Sequence, residues 1–180
     1  MDWLIFLSQL PTNPSSLRVT TWRKMRAAGA LGLQNSAWIM PHTPDNEKFL
    51  QELLTNIQQQ DASGQIFSVV PLTETVEQDL LSRFQVDRDH EYSEFCERCQ
   101  ECLAEIDKET KKEKFTFAEL EEIEDDVEKL TAWLKKIQKR DFLKSSKSDE
   151  AVEIMNQCKS AFNQFGQAVY AHDSNSDEKQ

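Results

Sequence analysis

The chain has 180 residues, with 21 Lys/Arg against 32 Asp/Glu, a formal net charge of −11, and 38% hydrophobic residues. That length allows one ordinary domain or two small ones. The acidic balance excludes a surface that attracts nucleic acid or anionic lipid as a whole, so any such contact needs a local basic patch.

The charge is uneven along the chain. Residues 1–75 carry 5 Lys/Arg and 6 Asp/Glu, a net of −1, and residues 76–180 carry 16 and 26, a net of −10. Trp3-Leu4-Ile5-Phe6-Leu7 is a short apolar run that reads as a buried strand. Asn13-Pro14 supplies an N-cap and a Pro at the first helical position, opening a helix through Leu17, Trp22 and Met25 to a stop at Gly29. Strands are expected near Ala30–Gln34 and Ser36–Pro41, with Asn35 at the turn. Thr43-Pro44-Asp45 opens a second helix carrying Phe49, Leu50, Leu53, Leu54 and Ile57 on one face. Ser63-Gly64 is read as its break, and Gln65–Val70 as the last strand. The order β-α-β-β-α-β predicts a ferredoxin-like α+β domain over residues 1–72, with helices on one sheet face. The other face then needs cover from the rest of the chain or from a second subunit.

Past Thr73 no further strand is predicted. A short helix is expected near 74–84, then long ones at roughly 88–112, 116–140 and 149–171. Thr116 with Glu119 forms a capping box. Leu120, Ile123, Val127, Leu130, Leu134 and Ile137, and likewise Val152, Met155, Cys158, Phe162, Phe165 and Val169, recur at spacings of 3 and 4. These seams predict an antiparallel helical bundle over 73–172, followed by a disordered polar tail at 173–180. No stretch approaches the ~20 apolar residues that span a membrane. Met1-Asp2-Trp3 lacks the positive start of a signal peptide, so the expected compartment is the cytoplasm.

Two constellations invite a chemical reading. Cys96, Cys99 and Cys102 superficially suggest a metal or cluster site, with Cys158 able to join them. On a regular helix these thiols share a face with Tyr92, Phe95, Leu103 and Ile106, so they read first as core and only weakly as metal ligands. The first helix carries Arg18, Arg23, Lys24 and Arg26 within nine residues, preceded by Ser15 and Ser16. The wheel puts Arg18 inside the apolar stripe, between Met25 and Trp22. An arginine there is either salt-bridged to a carboxylate or binds an oxyanion or DNA phosphate, helped by the serines and free helix N-terminal amides. No catalytic set is evident: His42, His90 and His172 are scattered, and there is no Gly-rich phosphate loop. The run Glu119, Glu121, Glu122, Glu124, Asp125, Asp126, Glu128 reads as a solvated face. No cofactor is implied.

The ordered set Trp3-Leu4-Ile5, Leu10-Pro11, Pro14-Ser15-Ser16, Arg18-Val19, Trp22-Arg23, Gly29-Ala30 and Ser36–Pro41 resembles the opening of ChrB-type chromate-resistance proteins. Arg88-Asp89, Glu91-Tyr92, Phe95, Lys114–Glu122 and Arg140-Asp141-Phe142 extend the resemblance over nearly the whole chain. It implies a non-enzymatic, chromate-responsive regulator of a chromate efflux system, binding promoter DNA or chromate. Longer members of that family continue into a second domain that this chain lacks, which a partner protein would supply. The first ~70 residues are also similar to PaaX-type repressors and small CRISPR-associated nucleases, domains that tend to pair as homodimers through the open sheet face. Those nucleases carry an aspartate at the end of the first strand, where Ser8 and Gln9 stand here. The alternatives are an interaction module that docks a partner on its acidic bundle, and a metal-binding protein using the bundle cysteines.

Overall fold

A computed structural model of the chain describes residues 1–13 and 15–177, with side chains as far as 174. The elements are β1 (Trp3–Gln9), α1 (Ser16–Ala27), β2 (Leu31–Gln34), β3 (Ala37–Pro41), α2 (Pro44–Gln58), β4 (Ser63–Val69), α3 (Glu74–Lys111), α4 (Phe117–Lys139) and α5 (Ser148–Asp177). They form two compact units. The first holds Met1–Val86 with Arg140–Leu143, and the second Asp87–Lys139 with the chain from Lys144.

In the first unit the four strands lie in the order β2-β3-β1-β4, every neighbour antiparallel. This is the α+β, ferredoxin-like arrangement the sequence predicts. Alternation along β1 sorts its side chains between two faces. Leu4 and Phe6 join Leu17, Met25, Met40, Leu50, Leu53 and Ile57 beneath the helices. Trp3 and Ile5 belong to the opposite face, with Leu31 and Ile39. That second face is partly covered from within the chain: Leu80 and Phe84 of α3 and Phe142 pack there, and Phe84 stacks on Trp3 at 5.4 Å. Leu7 and Phe67 remain 38% and 44% exposed.

Local chemistry explains the helix ends. Gly29 takes φ +79°, its N–H donates to Arg26, and the Ala30 N–H donates to Met25, both at 3.0 Å. Those two bonds satisfy the last carbonyls of α1 and turn the chain into β2. Thr43 Oγ1 accepts from the Asn46 amide at 3.2 Å, Pro44 occupies the first turn of α2, and the buried Asn46 side chain donates to the Pro41 carbonyl at 2.8 Å. The start of α1 departs from expectation. Its N-cap is Ser15, which makes no side-chain capping bond, so Asn13 is not the cap, and Pro14 lies outside the described residues. β4 likewise begins at Ser63, paired with Gln9, rather than after Ser63-Gly64.

In the second unit Tyr92, Phe95, Cys99, Ile106, Ile123, Val127, Leu134, Ile137, Met155, Cys158, Phe165 and Val169 form one apolar core. Residues 74–111 make one unbroken helix, not the short and long pair expected, because Gln85-Val86-Asp87-Arg88 contains no Gly or Pro to break it. The capping box is half formed. Thr116 Oγ1 accepts from the Glu119 amide at 3.3 Å, but Glu119 pairs with Lys114 and the Thr116 N–H donates to the Lys114 carbonyl. Glu121, Glu122, Glu124, Asp125, Asp126 and Glu128 are all exposed. α5 continues to Asp177, so the tail expected from 173 is helical that far, and 178–180 lie outside the described residues. Among the described residues no helix is long and apolar enough to cross a membrane.

Candidate functional site

The buried stripe of α1 is Leu17–Thr21–Met25, an i, i+4, i+8 series. Trp22, placed in the stripe by its hydrophobicity, is instead 55% exposed, and Val19 is 42% exposed. Arg18 therefore sits at the flank of the helix and is exposed, which corrects its expected place within the apolar stripe. Arg23, Lys24 and Arg26 are exposed as well. Within the first unit no carboxylate among the described residues lies within ion-pair distance of Arg18, Arg23 or Lys24. No salt bridge of Arg18 therefore forms inside that unit.

Arg18 lines a cleft of about 700 Å³ between α1 and the β2–β3 hairpin, with Val19, Thr21 and Trp22 from the helix. Ser8 and Leu10 close one end, and Gly32, Leu33, Gln34, Asn35, Ser36 and Trp38 form the hairpin side. The hairpin turn holds Ser36 at φ +62°, and its carbonyl accepts the Ser8 N–H at 3.0 Å, which fixes the cleft's floor to β1. Two hydroxyl groups at this cleft, Thr21 Oγ1 and Ser8 Oγ, are shut from solvent and have no hydrogen-bond partner. A buried hydroxyl without a partner costs free energy. Of the six residues singled out from sequence, the cleft gathers Arg18 alone. Ser15, Ser16, Arg23, Lys24 and Arg26 lie elsewhere on the exposed surface of α1.

Sequence reasoning missed Thr21, although its spacing from Leu17 and Met25 carried the signal. It also missed a polar chain between α2 and β4, where His42 Nε2 meets Glu47 at 3.0 Å and His42 Nδ1 meets Ser68 Oγ at 3.3 Å. Ser, His and Glu in line resemble a nucleophile–base–carboxylate set. None of the three lines either of the two clefts described here.

In the second unit Cys96, Cys99 and Cys158 are buried and Cys102 half-buried, all four as free thiols. Cys158 Sγ donates to the Cys99 carbonyl at 3.4 Å. Burial pushes the Cys96 thiol up, and Glu150 adds to the effect. The hydrogen bond with Cys158 pushes Cys102 up strongly. For Cys158 the bond with Cys102 works downward, but Cys99 and burial outweigh it and the thiol is pushed up to about 12. Thiols held neutral in this way are poor metal ligands. Among the described residues no group of three or more His, Cys, Asp or Glu is placed to hold a metal ion. A second cleft of about 650 Å³ beside Cys102 is walled by ion pairs already made, Arg98–Glu101 at 2.6 Å and Lys129–Asp126 at 3.0 Å.

The first unit is thus a ferredoxin-like α+β domain with an exposed, cation-rich α1 and a cleft beside it. The sequence profile described as Protein ChrB, N-terminal, matches residues 18–176, and the chain belongs to that family. Over 93 residues it is 32% identical to Protein ChrB of Cupriavidus metallidurans strain CH34, a stretch covering 52% of this chain and 28% of that relative's length. No solved structure matches the chain.

Proposed function

We propose that this protein is a non-catalytic regulatory module of the chromate-response type, and that α1 meets the phosphate backbone of promoter DNA. Membership of the ChrB family supports a role associated with chromate resistance. The observation that carries the DNA contact is the exposed Arg18, Arg23 and Lys24, without a carboxylate partner inside the first unit, on a helix that holds no Asp or Glu in a chain with net charge −11. A local positive field of this kind attracts a polyanion to one face of an otherwise acidic protein. Exposed side chains on a convex helix suit a phosphate backbone. Pairing into a homodimer fits the same reading through the part of the sheet left open at Leu7 and Phe67, and the relative's greater length accommodates a further domain or partner.

The test is fluorescence anisotropy with duplex DNA from upstream of the protein's own coding region, across a salt series. Neutralising three phosphates gives a log–log salt slope of about −2.7. Chromate and sulfate titrated into the same assay form the second arm. Competition at low concentration would assign the cations to a small oxyanion instead. Equal DNA affinity for the wild type and for Arg18→Ala/Arg23→Ala/Lys24→Ala, both folded, would end the proposal.

A further inference from the structure

The cleft beside α1 has features that phosphate contact does not use. Its walls are mainly apolar, with Leu10, Val19 and Leu33 and the two indoles Trp22 and Trp38. It holds one cation, Arg18, and no Asp or Glu lines it, in a chain with 32 acidic residues. Two of its lining residues, Thr21, 2% exposed, and Ser8, carry hydroxyls that are shut from solvent, so Arg18 is the charged group it offers a ligand. About 700 Å³ lies within the range of sites for small organic ligands, roughly 300–1,000 Å³. A tetrahedral oxyanion of five atoms would leave most of that apolar wall wet.

We propose that this cleft binds a small organic carboxylate with a flat, apolar body. The carboxylate lies against the Arg18 guanidinium, whose planar fork matches two oxygens with two parallel N–H donors. One cation balances one negative charge, so a monoanion fits where a phosphate dianion would keep excess charge. The flat body occupies the space between the helix and the hairpin, against Trp22 and Trp38, where aromatic faces stack. Arg18 belongs to both this site and the proposed DNA surface, so an occupied cleft lowers DNA affinity and DNA lowers ligand affinity by the same factor.

The probe is 2-naphthoate, measured by calorimetry and thermal shift on the full chain. Acetate and sulfate serve as anions without a body, and 2-naphthamide as the body without charge. The expected result is saturable 2-naphthoate binding with a Kd of about 1 mM or tighter, the level that ligand efficiency sets for a molecule of that size. Arg18→Ala, at an exposed position, should keep the wild-type melting temperature and weaken binding at least tenfold. Arg23→Ala/Lys24→Ala should leave 2-naphthoate affinity unchanged while lowering DNA affinity, which separates failure of this site from failure of the DNA reading. Absence of binding at 5-fold above that Kd, equal affinity for acetate or sulfate, equal affinity for 2-naphthamide, or indifference to Arg18→Ala would each overturn the assignment.

Discussion

Replacing Thr21 by Val tests the reasoning behind the site through stability alone. The two side chains have the same shape and the same β-branching, and their helix propensities are close, so the exchange isolates the hydroxyl. Thr21 is 2% exposed and its Oγ1 has no partner. Leaving such a group unpaired costs about 1–3 kcal/mol. A methyl in its place also gains apolar contact with the stripe formed by Leu17 and Met25. Part of that cost should return, so Thr21→Val is expected to stabilise the first unit by about 1 kcal/mol. For a domain of about 60–100 residues this raises Tm by about 4–8 °C. Thr21→Ser keeps the unpaired hydroxyl and loses the methyl, so it should destabilise. The expected order is therefore Val, Thr, Ser. The assay is a thermal and a guanidinium melt of the full chain, read by near-UV dichroism, since three of the four tryptophans, Trp3, Trp22 and Trp38, belong to this unit. A loss of more than about 0.5 kcal/mol in Thr21→Val, the size of an ordinary net hydrogen bond, would mean that the hydroxyl is satisfied in solution. The unpartnered state of Thr21 would then be refuted.

Other expectations follow from single groups. Arg23→Ala/Lys24→Ala should reduce the magnitude of the DNA salt slope by about 1.8, the loss of two phosphate contacts, with no change in Tm. Gly29→Ala should cost about 2 kcal/mol or more in a denaturant melt, because φ +79° penalises a Cβ that would also come within 2.6 Å of Arg140 Cβ. Phe84→Ala should cost about 3–5 kcal/mol by opening the face over Trp3; a cost below 1 kcal/mol would show that α3 does not seal that face. Stability of the second unit should fall above pH 9. Cys158 starts from an ordinary thiol value of 9.0 and is pushed up to about 12 in the fold. The unfolded chain therefore loses its proton first, and stability is present below 9 and lost as pH rises toward 12. A denaturant midpoint unchanged between pH 8 and 10.5 would contradict this.

Most of the fold was legible because local rules and global packing agree. The apolar run Trp3–Leu7, the glycine after α1 and Thr43-Pro44-Asp45 each have one physical solution, and the structure adopts it. Where reading failed, a residue had two uses. Gly64 was taken as a break because glycine is permissive, yet a Cβ there would stand 3.0 Å from the Leu7 carbonyl and 3.1 Å from Leu54 and Ile57. Its smallness serves the close approach of α2 to the sheet, not a turn. α3, expected as two helices near 74–84 and 88–112, packs Phe84 into one apolar cluster and Tyr92 into another. Periodicity records which neighbour a helix packs against, and a helix that changes neighbours changes face without breaking.

The same limit explains why the cleft was only half legible. A helical wheel gives the angles between residues but not which direction faces the core. Hydrophobicity scales rank Trp above Thr, so the sequence draws the stripe of α1 through Trp22 and encloses Arg18. The actual direction is fixed by long-range packing: Leu17 and Met25 share a core with Leu4, Phe6 and Met40, and the turn at Gly29 feeds directly into β2. Thr21 lies between those anchors and is buried with them, while Trp22 is turned out toward the hairpin. An exposed tryptophan and an inward threonine without a partner both cost stability in an isolated domain. Positions 21 and 22 are thus where local preference and observed burial conflict, and such conflicts mark functional or strained sites; the proposed ligand would relieve the one at Trp22 by covering the indole.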